Sequence, residues 1–296
     1  MRLCPLCKTK DKKFKIFLKE KIDKNLISKF SYASRKNPEF MRHKLIQCSI
    51  CDIVYAANPP KKEELANAYH LSDFDSNQEA NDAAISYLKS IKPILNKMQS
   101  KKSVLEIGCG TGIFLQLLKK EGFSILKGIE PSASAINAAP KNRKSWFIKG
   151  IFNANNFKPN SFDLVCCFMT MEHVYDPLDT AKNVRKILRP GGIFVTVTHD
   201  YRHIINKALG EKSPIIDIEH MQIFSNKSIR ETFKKAKFKE IETVTFCNNY
   251  NLTYWIRLNP LPRYIKEKII SVIHFSPLKN FKLKFNVGNT MTHGIK

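Results

Sequence analysis

Four cysteines stand in two C-x-x-C pairs, "CPLC" at Cys4–Cys7 and "CSIC" at Cys48–Cys51. Four thiolates presented two by two suit tetrahedral zinc in a closed, structural site. The polar, lysine-rich segment between the pairs is longer than in compact zinc ribbons and leaves room for a hairpin such as "KFKIFLK" and a loop. Neither pair opens a helix after a strand, which weakens a redox reading. Four unrelated reduced cysteines are the bland alternative. Cys109, Cys166, Cys167 and Cys247 lie in apolar contexts where buried thiols are ordinary.

A second constellation begins at "SVLEIGCGTGIFLQLL". Glycines at 108, 110 and 112, between an apolar run and a helical pattern, let a ligand approach the backbone closely. A dinucleotide loop has a third glycine where bulky Ile113 stands here. Glu130 ends the next apolar run, where a carboxylate accepts both hydroxyls of a ribose.

Histidines supply the acid–base candidates. Glu172–His173 follows a buried run, and an imidazole with an ordinary pKa of about 6.5 suits a base at neutral pH. The alternative is that the pair caps its loop and orders the pocket. His220, in "IEHMQIFS", has a similar claim, because its segment returns over the sheet and can close an acceptor pocket. His199 and Asp200 end another strand and can face the same site, while His203, His274 and His293 show no pattern.

These residues need a scaffold, and the patterning supplies one. From Ser103 the chain alternates: "SVLEI" strand, "GIFLQLLKKEG" helix closed by Gly122, "ILKGIE" strand, "SASAINAA" short helix, "SWFIKG" strand and "FDLVCCFM" buried strand. "PLDTAKNVRKIL" then reads as a helix and "GGIFVTVT" as a strand. That alternation predicts an α/β fold with a parallel sheet and helices on both faces. Before it, "ANPPKKEEL" marks a boundary, and residues 65–98 read as a polar helical arm. After Asp200, "SNKSIRETFKKAKF" is a helix capped by Ser225 or Asn226, and "KEIETVTF" is a strand. "PRYIKEKIISVIHF" is an amphipathic helix with Ile265, Ile269, Val272 and Ile273 on one side and lysines on the other. Packing of that helix on the domain ranks ahead of contact with an anionic membrane. The expected organisation is a zinc-ribbon-like domain at 1–60, an arm at 61–100, a cofactor-binding core at 101–200 and an acceptor-side region at 201–296 that completes the sheet.

Taken together, the glycine loop, Glu130, "FDLVCCFMTMEHV" and "LRPGGIFVTVT" resemble the class I S-adenosylmethionine-dependent methyltransferases, over roughly Lys102 to Asp200. The resemblance implies a Rossmann-like sheet and S-adenosylmethionine as cofactor. It implies that Glu106, Gly108, Cys109, Gly110 and Gly112 pass under the methionine part. Glu130 would hold the ribose, and Met169, just after Phe168, would line the transfer site. Many relatives bind the adenine amino group with an acidic residue, but "GIFNANNF" has none. Asn153 or Asn155 would substitute there, or a backbone group. The leader "CSICDIVYAANPPKKEELANAY", with Tyr69 ending its helix, looks like that of bacterial zinc-knuckle methyltransferases of sugar and cell-surface polysaccharide biosynthesis. Asp52 stands where those carry glycine. "DIEHMQIFSNKSI" and "VGNTMTHGIK" also resemble that group. The implied activity is methyl transfer to a sugar, nucleotide sugar or lipid-linked saccharide, with His173 and His220 as base candidates. RNA methylation and a non-catalytic binding role are the rivals.

Charge bears on the acceptor. The 296-residue chain carries 50 Lys+Arg against 26 Asp+Glu, a net +24. The excess is +11 over residues 1–62 and +10 over 201–296, but only +3 between. Such ends attract a phosphate-bearing acceptor, an anionic membrane or nucleic acid. The bland alternative, to which the excess of lysine over arginine points, is a general lysine-rich bias that favours solubility. Aromatic residues do not interleave with the lysines as a base-stacking platform would require, which disfavours RNA. Without a transmembrane-length apolar run or a signal-peptide core, a cytoplasmic protein is expected.

Overall fold

The computed structural model describes residues 1–8, 14–28, 30–33, 38–72 and 77–296. Strands β1 (Phe14–Leu18), β2 (Leu45–Cys48) and β3 (Val54–Ala56) form an antiparallel sheet. Helices α1 (Lys62–His70) and α2 (Asn77–Lys97) follow. Then come β4 (Ser103–Ile107), α3 (Ile113–Lys120), β5 (Ile125–Glu130), α4 (Ala133–Ala138), β6 (Phe147–Lys149), β7 (Phe162–Phe168), α5 (Pro177–Ile187) and β8 (Leu188–His199). The remainder is α6 (Ile204–Leu209), β9 (Gln222–Ile223), α7 (Asn226–Lys235), β10 (Lys239–Thr245), β11 (Asn248–Asn251), α8 (Leu252–Leu258), α9 (Arg263–His274), β12 (Lys282–Phe285) and β13 (Asn289–Ile295).

The central sheet has the order β10-β13-β8-β7-β4-β5-β6. β4 to β8 pair in parallel, and β13 enters antiparallel between β8 and β10. This is the Rossmann-like sheet the alternation predicts, completed from beyond Asp200. β7 is buried along its whole length, as a strand covered on both faces must be. Its one carboxylate, Asp163, accepts from the amides of Lys102 and Ser103 and from Arg189, so it is satisfied where it is buried. α5 starts on an Asp176 cap with Pro177 in its first turn, and α7 starts on Ser225, which settles the choice between Ser225 and Asn226.

Three expectations change. "KFKIFLK" is no hairpin: Lys13 lies outside the described residues, and β1 pairs with β2, the strand that leads into the second cysteine pair. The polar arm over 65–98 is two helices, and α2 buries Ala83, Ala84, Tyr87, Ile91 and Leu95 against α3 and the sheet. Its small alanines let it approach closely, a signal that average polarity conceals. α9 does not lay its apolar side on the domain. Ile273 is buried and Ile265 half-buried, but Ile269 and Val272 face outward. The helix sits outboard of the sheet, packed on α8 and the turn that follows it.

The N-terminal sheet is not a separate bead. β3 pairs with β9, and Leu6, Ile46, Ile53 and Tyr55 share one buried cluster with Met171, Phe224, Ile229 and Phe233. Asp52 locks the junction. Its φ of 67° is left-handed, the region that glycine fills most easily. The aspartate adds a carboxylate that accepts from Gln47 Nε2 (2.7 Å), Tyr201 Oη (2.8 Å), Ser225 Oγ (2.7 Å) and Arg202 Nε (2.6 Å). Burial alone would raise its pKa, but these donors, Arg202 foremost, hold it well below the usual carboxylate range. Asp52→Gly keeps the turn and removes the acceptor. The expected loss is about 2–4 kcal/mol, read as a lower urea midpoint at unchanged slope.

Candidate active site

β4 ends at Ile107, and the chain must then turn sharply into α3. Gly108, Gly110 and Gly112 all have positive φ. At Gly108 a Cβ would also stand 2.3 Å from Thr170 Oγ1, so the loop and the end of β7 meet without room for a side chain. Gly128 on β5 serves the same approach from the other side, where a Cβ would fall 2.5 Å from Cys109 Sγ. The loop is pinned by Gly108 and Cys109 amides donating to Ile129 O at 2.8 and 3.1 Å.

Glu130 joins loop to sheet. Its carboxylate accepts from Gly110 N at 2.7 Å and from Ser132 N at 2.9 Å. Burial raises its pKa above the ordinary carboxylate value, and the two amides pull part of the way back.

A cavity of about 650 Å³ opens over this end of the sheet. Glu106, Gly108, Cys109, Gly110 and Glu130 line it, as does Met169, whose φ of 47° is unusual for a side-chain-bearing residue. Gly112 stands behind the loop as the cap of α3. Asn153 is not brought into the wall. Its Oδ1 accepts from Asn155 N at 3.0 Å, and Ile151 and Phe152 line the cavity in its place.

His173 and His220, which both line the cavity, converge. The rings of His173 and His220 lie 4.8 Å apart, and His199 is 5.8 Å from His220. His220 Nδ1 lies 2.8 Å from Ile215 O. A carbonyl only accepts, so Nδ1 carries the proton and the lone pair stays on Nε2. His173 Nδ1 is 3.1 Å from both Glu219 O and Tyr69 Oη, and the tyrosine hydroxyl itself donates to Glu219 O at 2.9 Å. Burial, with Glu219 and Tyr32 nearby, pushes Tyr69 well above its ordinary pKa and keeps it a neutral phenol. Glu172 is fully buried outside the cavity wall and accepts from His199 N at 2.8 Å, tying the β7 loop to the end of β8. Asp200 likewise turns away, accepting from Arg202 N. Cys166 and Cys167 are buried strand residues with thiol pKa values pushed up by burial, unsuited to nucleophilic work.

Sequence reasoning overlooked Tyr32, Tyr87, Tyr254 and Trp255, which also line the cavity. They come from three separate segments, with Tyr254 and Trp255 adjacent on α8, and nothing local in the sequence links the three.

The cysteine pairs meet in space. Cys4 Sγ is 3.5 Å from Cys51 Sγ, Cys48 Sγ is 4.0 Å from Cys7 Sγ, and all four sulfurs lie within 4.8 Å of one another. Tetrahedral zinc with bonds of about 2.3 Å separates its sulfurs by about 3.8 Å, so the donor set fits that ion. Hydrogen bonding from Cys51 leads the effects that push the Cys4 thiol down, so one thiolate is already favoured in the cluster.

Residues 78–243 match a family described as a methyltransferase domain. The chain is 27% identical over 200 residues to the ubiquinone biosynthesis O-methyltransferase of Pectobacterium carotovorum, covering 65% of this chain and 75% of that one. It is 28% identical over 136 residues to the protein of the same description from Vibrio cholerae, covering 44% of this chain and 56% of that one. The YcgJ protein of Bacillus subtilis shares the fold, with a TM-score of 0.51 at 16% identity over 70% of this chain and 98% of that one. The family match spans more than half of the sequence and includes the glycine loop, Glu130 and His173. The chain therefore belongs to the methyltransferase-domain family and is an S-adenosylmethionine-dependent methyltransferase.

Proposed function

We propose that the protein methylates a hydroxyl of a small-molecule acceptor bearing a saccharide, whether free, nucleotide-linked or lipid-linked, with His220 as the base. The observation that carries this reading is the His173–His220 pair lining the cavity, with His220 Nδ1 committed to a backbone carbonyl. S-adenosylmethionine supplies an electrophilic methyl group on a sulfonium. The chain's residues bind it, aim the acceptor and take the proton that the acceptor hydroxyl loses. Gly108, Gly110 and Gly112 let the loop pass beneath the methionine part, with Glu106, Cys109 and Met169 beside it. Glu130 accepts from the ribose hydroxyls, and Ile151 and Phe152 flank the adenine. His173 and Tyr69 position the acceptor. Residues 1–60 hold a structural zinc on Cys4, Cys7, Cys48 and Cys51, and Tyr32 and Ala33 from this region form part of the cavity wall.

The relatives' O-methyltransferase descriptions support a hydroxyl acceptor, and the leader's likeness to the polysaccharide group supports a saccharide. A second reading, a phenol carrying an apolar tail, draws on the ubiquinone names and on the wall of Tyr254, Trp255 and Leu258. Radiolabelled methyl transfer to nucleotide sugars, lipid-linked saccharides and prenylated phenols separates the two.

Three outcomes are expected. His220→Ala lowers kcat by about 10²–10⁴-fold with S-adenosylmethionine affinity retained, whereas a loss confined to KM would rule out the base role. Glu130→Gln weakens cofactor binding by about 1.5–3 kcal/mol in calorimetric titration. Because burial raises the Glu130 pKa, wild-type affinity is full above that raised value. It declines as pH falls through it, earlier than for an ordinary carboxylate, and the Gln variant shows no such step. Purified protein contains one zinc per chain by elemental analysis, and Cys48→Ser loses both the metal and thermal stability.

A further inference from the structure

We propose that residues 261–285 form a docking face that seats the enzyme on an anionic lipid surface. The face is apolar where a soluble domain would be polar. On α9, Tyr264, Val272 and Phe275 are 64%, 70% and 92% exposed, and Ile269 joins them. The turn and strand that follow add Leu278, Phe281 and Phe285, all exposed. Ile273 is buried and Ile265 and Ile270 are half-buried, and these hold the helix to its neighbours, whereas Tyr264, Ile269, Val272 and Phe275 stay exposed.

Charge identifies the occupant. Within the same 25 residues stand Arg263, Lys266, Lys268, Lys279, Lys282 and Lys284 against a single acid, Glu267. Arg263 pairs with Glu267, Lys282 with Asp82, and Lys266 donates to Arg257 O, so Lys268, Lys279 and Lys284 are the cations the face turns to a phosphate. Apolar side chains that can enter the acyl boundary, ringed by cations that meet lipid phosphates, are the two signals that together give stable peripheral binding. Tyr264, Phe275, Phe281 and Phe285 offer rings to an RNA base as well. The exposed aliphatic Ile269, Val272 and Leu278 among them are covered by an acyl boundary and not by a stacked base, which favours lipid. Position adds a consequence. Tyr254, Trp255, Leu258 and Pro260, immediately before this face, line the cavity. A docked enzyme would hold that side of its cavity beside the bilayer.

Flotation of the full chain with phosphatidylcholine vesicles, with and without phosphatidylglycerol, tests the proposal. Wild type is expected to float with the anionic vesicles at low salt and to be released by high salt. The double variant V272S/F275S and the charge variant K279E/K284E should each lower vesicle partition by roughly tenfold or more. Both should bind S-adenosylmethionine as wild type does, which shows that they fold. Three results would overturn the assignment. Wild type competent in cofactor binding remains unbound with anionic vesicles. The variants float as well as wild type. Or sedimentation velocity shows a dimer that V272S/F275S dissolves, making the face a contact between two copies. None of these depends on which acceptor is methylated.

Discussion

The contact between Glu130 and the amide of Gly110 is the constraint on which the site turns. A carboxylate at the end of β5 reaches across to the loop that leaves β4, and two backbone amides satisfy it there. That geometry demands a loop without side chains at 108 and a strand without one at 128, because Thr170 and Cys109 occupy the space a Cβ would take. The glycines, the carboxylate and the order of the parallel strands are thus one requirement expressed at several positions. A buried anion is tolerable only where donors face it, and here donors belong to the backbone, which cannot rotate away.

Much of this could be read from the chain. Residues 103–199 announce themselves because buried parallel strands are short apolar runs and the helices between them keep a helical period. The loop was legible because glycine does what no other residue can. The convergence of the cysteine pairs was legible because two C-x-x-C motifs close together are a spaced set of donors. What escaped was whatever depends on distant segments meeting. Asn153 stood at a plausible position, yet its side chain caps the turn that follows it. The amphipathic pattern of α9 was real, but a helical period states that a face exists without saying what covers it. The partnership of His173 with His220 joins residues 47 apart in the chain and required the sheet to be built first.

Asp52 shows how a small sequence departure is absorbed. A left-handed turn that glycine would fill cheaply is filled here by aspartate, which tolerates that conformation better than most residues and brings acceptor oxygens. Those oxygens collect donors from the N-terminal sheet, from Tyr201 and Arg202 beyond β8 and from the cap of α7. The turn beside a cysteine pair thereby becomes the bolt between the two parts of the molecule.

The short strand β9 sets an order of assembly. β3 ends at residue 56 and its partner β9 begins at 222, so their pairing closes a loop that contains the whole run from β4 to β8. Loop-closure entropy makes that pairing unfavourable until the intervening chain is compact, and folding of the sheet strands shortens the effective loop. The N-terminal sheet, synthesised first, is therefore finished late, waiting on two residues made long after its own. During synthesis its exposed β3 edge would be the part of the nascent chain in most need of protection from mispairing.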